Sequence, residues 1–184
     1  MRILAVSGSL RRDSYNAQLL RGAQELAPVG VELEFYDGLA AVEPFDQDDE
    51  RDAPAGAQNF RDAIAAADAV LFATPEYNSS IPGQLKNALD WASRPTVREG
   101  ALWSKPVAVI GASTGSFGAV WAQAELRKVL SASGARVAEA ELAVGRAQEH
   151  FADGSLVDPE LRRSLAEALE TLVTSVRRPV LAAA

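Results

Sequence analysis

Apolar and polar positions along the chain change period at regular intervals. Residues 2–7, RILAVS, form a short and nearly continuous apolar run, the pattern of a strand buried on both faces. Over residues 15–27, Leu19, Leu20, Ala23, Leu26 and Ala27 share one helical face, and Pro28 and Gly30 then stop the helix. Residues 31–37, VELEFYD, alternate with Val31, Leu33 and Phe35 inward, which predicts a half-covered edge strand. A helix over 57–67 and a third strand over 68–75, DAVLFATP, follow. The next helix opens at Pro82 and puts Leu85, Ala88, Leu89 and Ala92 at core spacing. Residues 105–113 predict a fourth strand, 118–132 a fourth helix and 135–142, ARVAEAEL, a fifth strand. In the last helix Asp158 is the expected N-cap and Pro159 the first helical residue. It aligns Leu161, Leu165, Leu169, Leu172 and Val176.

Such alternation predicts an α/β fold, a doubly wound five-stranded parallel sheet with helices on both faces. Right-handed crossovers favour strand order 2-1-3-4-5. Residues 1–184 are expected to form a single domain. In such sheets a ligand sits outside the carboxyl ends of the strands, beside the first strand. The loops SGSLRRDSYN, TPEYNSSIPG and GASTGSFGAV are therefore expected to line one site. The stretch 37–56 is long enough to predict a functional loop.

Composition narrows the chemistry. The chain has no cysteine, which removes disulfides, thiol nucleophiles and thiolate metal ligands together. Its one histidine, His150, falls beyond the fifth strand and reads as structural or solvated, so neither a transition-metal site nor a catalytic histidine is expected. The acidic run DQDDE at 46–50 lacks the glycine and distal glutamate of a calcium loop and reads as a solvated face. A net charge of −7 argues against a nucleic-acid partner. No apolar run approaches the ~20 residues of a membrane span, and the N-terminus lacks a signal-peptide pattern. A soluble, cytoplasmic protein is expected.

The first loop combines small residues, hydroxyls and arginines where a strand hands over to a helix. Helix N-termini bind anions through unpaired N–H groups and a positive dipole end. Ser9, Ser14 and Asn16 add neutral donors and Arg11 a charged, bidentate one. The alternative is an N-capped helix with solvated arginines. No nucleoside-triphosphate loop, G-x-G-x-x-G fingerprint or cysteine-based phosphatase loop is present, which leaves the terminal phosphate of some other cofactor. In the second loop Pro75, Glu76, Tyr77 and Asn78 can face a planar polar ring; the alternative is a turn with Ser79 or Ser80 capping the next helix. Lys86 and Trp91 read as packing residues. In the third loop Gly111, Gly115 and Gly118 allow close approach or positive φ around Ser113 and Thr114.

These residues resemble the NADPH-dependent FMN reductases of flavodoxin-like fold, a family that includes quinone, chromate and azo-dye reductases. Gly8, Ser9, Arg11, Ser14 and Asn16 match its G-S-x-R-x-x-S-x-N loop, and residues 75–91 match P-E-Y-N-x-S-x-P-G-x-L-K-N-x-x-D-W throughout. The segment FADGSLVDPELRRSL is similar to the family's C-terminal part. The resemblance implies FMN, with its phosphate on Ser9, Arg11, Ser14, Tyr15 and Asn16. It implies a ring against Pro75, Glu76, Tyr77 and Asn78, with Ser113 and Gly115 nearby. NADPH or NADH would be the co-substrate, a quinone, free flavin or similar small molecule the electron acceptor, and a homodimer or homotetramer the assembly. Many relatives carry Tyr-Asn where this chain has Phe45 and Asp46, a departure that bears on acceptor preference rather than on flavin binding. No residue is placed as a nucleophile or acid–base pair, so the cofactor would carry the chemistry. The alternative from another class is a flavodoxin-like electron carrier without a small-molecule substrate. Trp91, Trp103 and Trp121 cluster near two adjacent helices, as an aromatic subunit interface or as a finished monomer core.

Overall fold

The apolar run at residues 2–7 becomes the central strand in the computed structural model, which describes residues 1–177. β1 (Arg2–Ser7) lies between β2 (Glu32–Tyr36) and β3 (Ala69–Ala73). β4 (Pro106–Ala112) and β5 (Arg136–Val137) extend the sheet to the parallel order β2-β1-β3-β4-β5. Ile3 stands opposite Leu33 on one side and Ala69 on the other. Because successive strand residues point to opposite faces, each central strand feeds two cores. Ile3, Ala5, Leu71 and Ile110 pack against α1 (Tyr15–Glu25) and α5 (Pro159–Arg177). Leu4, Val6, Phe72 and Val109 pack against α2 (Ala55–Ala66), α3 (Gly83–Ala92) and α4 (Val120–Ala132). Full burial of side chains of this size stabilises by about 1.5–3 kcal/mol each, which explains why these strands read as unbroken apolar runs.

The helix starts follow from local donors and acceptors. Asp158 caps α5 as expected, its Oδ1 accepting from Glu160 N at 2.9 Å and Leu161 N at 3.1 Å. The first turn of α2 follows Pro54 and has no side-chain cap from that residue. Its Gly56 and Ala57 amides donate instead to the Glu43 carboxylate, at 3.2 and 3.1 Å.

The predicted fifth strand is not continuous. The chain leaves β4 after Val137 and returns as β6 (Ala143–Val144), paired with the last residues of β4. The Arg127 guanidinium occupies the gap and donates to the carbonyls of Val109 at 2.9 Å, of Ala138 at 3.2 Å and of Ala140. Burial lowers its pKa, and the nearby Glu141 charge opposes that shift. A side chain thus supplies donors where a continuous ladder would use amides, a difference that alternation in ARVAEAEL does not carry. Phe35 also departs from expectation. It is 39% exposed, because the cover over this edge strand ends at Leu33, while Tyr36 turns to the other face against Phe60.

A hairpin of β7 (Phe151–Ala152) and β8 (Ser155–Leu156) precedes α5 and is absent from the sequence reading. Asp153 and Gly154 both take positive φ at its turn, the signature of a tight two-residue hairpin loop. Phe151 packs on Tyr15 with ring centroids 5.3 Å apart.

The long stretch after β2 is strapped to α3. Gln84 Nε2 donates to the Leu39 and Val42 carbonyls, both at 2.8 Å. Asn87 donates to Glu43 O at 2.9 Å and accepts from Phe45 N at 2.7 Å. Trp91 Nε1 donates to the same Glu43 carbonyl at 2.8 Å, and its buried ring meets Phe45 edge-on at 4.9 Å. Trp91 is therefore monomer core, which removes it from any aromatic subunit interface. Among the described residues no helix is long and apolar enough to cross a membrane.

Candidate functional site

Beyond the carboxyl ends of β1, β3 and β4 the three polar loops converge on one cleft of about 120 Å³. Ser9, Arg11, Ser14, Tyr15, Asn16, Pro75, Glu76, Tyr77 and Ser113 line it, together with Ala112 and Thr114. Asn78 and Gly115 adjoin these residues in the chain and are not on the wall itself. Ala112 was invisible to sequence reasoning because it contributes only its backbone position at a strand end. Thr114, named with Ser113 in the third loop from the sequence, is on the wall as well. A larger cavity of about 790 Å³ lies between β5 and α5, lined by residues such as Arg136, Glu139, Glu167 and Thr171. It shares no residue with the converging loops.

The first loop is built from serine turns. Ser7 Oγ accepts from Ser9 N at 3.3 Å, Ser9 Oγ from Arg11 N at 3.3 Å, and Ser14 Oγ from Asn16 N at 3.2 Å. Ser7 Oγ also donates to the Ser9 carbonyl at 3.3 Å, whereas the hydroxyls of Ser9 and Ser14, accepting in this way, keep their own protons for donation. Ser14 is at the same time the N-cap of α1, so its hydroxyl sits where the helix dipole is positive. Arg11 is exposed, and its guanidinium reaches the Asp13 carbonyl at 3.3 Å. Asn16 is buried and spends its carboxamide on Ala112, Nδ2 donating to the carbonyl and Oδ1 accepting the amide, both at 2.9 Å. It joins the first loop to the third.

The second loop is a tight turn. Tyr77 N donates to Ser80 O at 3.0 Å and Ser80 N to Tyr77 O at 3.1 Å, with Asn78 and Ser79 between them at φ 53° and 60°. Two consecutive positive φ values define the hairpin-type turn. Pro82, not Ser79 or Ser80, is the N-cap of α3, and no side chain of that residue caps it. Glu76 lines the cleft, but its Oε2 accepts from Trp121 N and Ala122 N at 3.0 and 3.1 Å. In the third loop Gly118 has φ 59°, and a Cβ there would lie 2.7 Å from Val144 N, so a side chain does not fit. Tyr77, Phe117, Val120 and Trp121 leave an exposed apolar patch at the rim, Phe117 and Trp121 in edge contact at 5.0 Å.

His150 lies outside this cleft, its Nδ1 2.9 Å from Asp158 Oδ2, in keeping with a structural role. Among the described residues no group of His, Asp or Glu side chains is disposed to hold a metal ion.

An all-α/β chain with its polar loops at the switch point of a 2-1-3-4-5 sheet is a flavodoxin-like protein. Residues 1–149 match the family model described as NADPH-dependent FMN reductase. The chain is 41% identical over 181 residues to an NAD(P)H-dependent FMN reductase of Pseudomonas aeruginosa, covering 97% of this chain and 96% of that one. It is 47% identical over 130 residues to a 2-hydroxy-1,4-benzoquinone reductase of a Burkholderia species, covering 70% and 69%. Its fold superimposes on FerB, a flavoenzyme NAD(P)H:(acceptor) oxidoreductase of Paracoccus denitrificans, with TM-score 0.84 and 35% identity over 96% of this chain and 97% of that one. The chain belongs to the NADPH-dependent FMN reductase family, and is an oxidoreductase that works with NAD(P)H and FMN.

The residues present fit that cofactor. Two hydroxyls with protons to donate, a guanidinium and the N-terminus of α1 form a donor set matched to a phosphate. The cleft, at about 120 Å³, is of a size for a phosphoryl group and smaller than a whole flavin.

Proposed function

We propose that this chain transfers reducing equivalents from NADPH or NADH, through FMN held at the loop cleft, to a quinone, free flavin or similar small acceptor. The observation that carries this reading is the convergence of Ser9, Arg11 and Ser14 with Pro75, Tyr77 and Ser113 on one wall. FMN, when bound, supplies the hydride and electron chemistry. The protein supplies position. Ser9, Arg11, Ser14 and the first turn of α1 hold the phosphate and so set where the rest of the molecule lies. Pro75 and the turn closed by the Tyr77–Ser80 backbone pair offer a rigid wall, and an open rim admits the two small substrates in turn.

The exposed rim patch of Tyr77, Phe117, Val120 and Trp121 supports a second proposal, that a second copy of this chain covers it and narrows the acceptor site. A cytoplasmic location, where nicotinamide cofactors are supplied, completes the reading.

Steady-state oxidation of NADPH and NADH with benzoquinone, with and without added FMN, tests the function. Turnover that requires FMN and both small substrates is expected. Flavin that is bound and reduced without turnover would instead establish an electron carrier.

A further inference from the structure

α4 begins without a cap of its own. Its N-cap residue is Ala119, held at φ 63°, and a methyl group offers nothing to the orphan amides of a first helical turn. Glu76 serves those amides from another loop, its Oε2 accepting from both Trp121 N and Ala122 N. The tie is answered from the other side. Glu125, one turn along α4, accepts at Oε2 from Ile81 N at 3.3 Å. Each segment thus holds the backbone of the other through a carboxylate.

The two ties bracket the turn Tyr77–Ser80, in which neither Asn78 nor Ser79 is a glycine although both have positive φ. Such conformations persist only where surrounding contacts over-determine them. Here they are the turn's own Tyr77–Ser80 backbone pair and, flanking it, the two ties to α4. That helix is also the continuation of the Ser113–Gly118 loop, so the clasp joins the second and third walls of the cleft. Asn16 already joins the first wall to the third through Ala112.

We propose that Glu76 is a positioning residue of the flavin site, its carboxylate spent on the first turn of α4 so that the Pro75–Ser80 turn and the Ser113–Gly118 loop keep one fixed separation. The proposal rests on the assignment of the flavin ring to these two loops. It gives Glu76 a role that does not require its side chain to touch the cofactor, and it separates the ring side of the site from the phosphate side, where Arg11 acts.

The test uses the full chain as Glu76→Ala and Glu76→Gln, with Glu76→Gln retaining a carbonyl oxygen as acceptor. Amide hydrogen exchange is measured without flavin, and FMN and riboflavin are then titrated separately. In Glu76→Ala, exchange at Trp121 and Ala122 should accelerate, and both flavins should weaken by a similar factor of about 2- to 30-fold, the loss expected when a cap's worth of order is removed. Glu76→Gln should restore most of both. Unchanged exchange at those two amides in Glu76→Ala would overturn the capping role. Faster exchange with undiminished flavin affinity would overturn the positioning role. A Glu76→Gln variant with protected amides but binding as weak as Glu76→Ala would also overturn it, by showing that the charge acts on the flavin directly. A native chain that binds neither flavin would overturn the site assignment and the proposal together, whatever the exchange result.

Discussion

The carboxamide of Asn16 forms a two-bond ring with the main chain of Ala112, 96 positions away, and both bonds measure 2.9 Å. An asparagine side chain here imitates the edge of a neighbouring strand. It satisfies the last residue of β4 at the point where the sheet ends and the site begins. Deleting it leaves a buried donor and a buried acceptor unpaired, each costing about 1–3 kcal/mol. Asn16→Ala should therefore destabilise the chain by more than about 2 kcal/mol in urea denaturation, which also loosens the first loop from the third. A loss below 0.5 kcal/mol, on the order of a surface change, would show that water replaces the amide readily.

Arg11→Ala should separate FMN from riboflavin. Losing a charged hydrogen bond costs about 1.5–3 kcal/mol, or roughly 10- to 150-fold in FMN affinity. Riboflavin has no phosphate, and its affinity should barely change. Equal loss of both ligands by fluorescence titration would place Arg11 in folding rather than in phosphate binding. Arg12→Ala, at the neighbouring exposed position, should have the smaller effect.

The Tyr36 hydroxyl is buried with no hydrogen-bond partner among the described residues, and burial, then the charges of Asp37 and Glu43, raises its pKa. Removing an unpaired polar atom relieves a desolvation penalty. Tyr36→Phe should leave the ring contact with Phe60 intact and raise stability by up to about 1 kcal/mol, read as an increase in Tm. A clear decrease would reveal a hydrogen bond made through water.

Acid should weaken the fold at two helix starts. Glu43 titrates below the ordinary carboxylate range because its own amide, then those of Gly56 and Ala57, favour the ionised form. Asp158 is lowered by the Leu161 amide first, then by His150 and the Glu160 amide. Folded pKa values below the unfolded ones of about 4.3 and 3.9 mean that this stability is complete above those values. It is lost as pH falls through the lower, folded values. Glu43→Gln and Asp158→Asn should each lower Tm at pH 7 and flatten its fall toward pH 3. Curves parallel to the native chain's would refute the assignment.

The subunit proposal has a direct check in Trp121→Glu, which places a charge on the exposed rim patch. Light scattering at micromolar concentration should show an oligomer for the native chain and a smaller species for the variant. A native monomer with full reductase activity would remove both the assembly and the role given to the neighbour.

The sheet order was legible because β1, β3 and β4 are buried on both faces, and that burial leaves an apolar run in the sequence. The site was legible to the level of its loops, since Ser9, Arg11, Ser14 and Pro75 occupy motif positions at a switch point. The direction of individual side chains was not. The bonds that two cleft residues make within the protein, Glu76 to the first turn of α4 and Asn16 to the end of β4, leave no mark in the pattern. The break between β5 and β6 depends on Arg127, whose guanidinium reaches carbonyls on two other segments. Single-residue contacts of this kind have no period, so hydrophobic patterning does not register them. Length predicted a functional loop at 37–56; residues 39–45 of it are strapped to α3 and its last two begin α2, contacts that length does not encode.

The straps on that stretch treat its residues anonymously. Gln84, Asn87 and Trp91 hydrogen-bond the main chain at Leu39, Val42, Glu43 and Phe45, and the Phe45 ring also meets one of them, Trp91. Carbonyls are offered by every residue type, and only the amide at Phe45 forbids proline. The hydrogen bonds of the grip are written in α3, but Leu39 and Val42 are buried in the core beneath it and the Glu43 carboxylate caps α2, so packing and capping fix those three side chains independently of the straps. Ala40 and Ala41, exposed between the two buried residues, are the positions of residues 39–42 where a new side chain disturbs neither α3 nor the core.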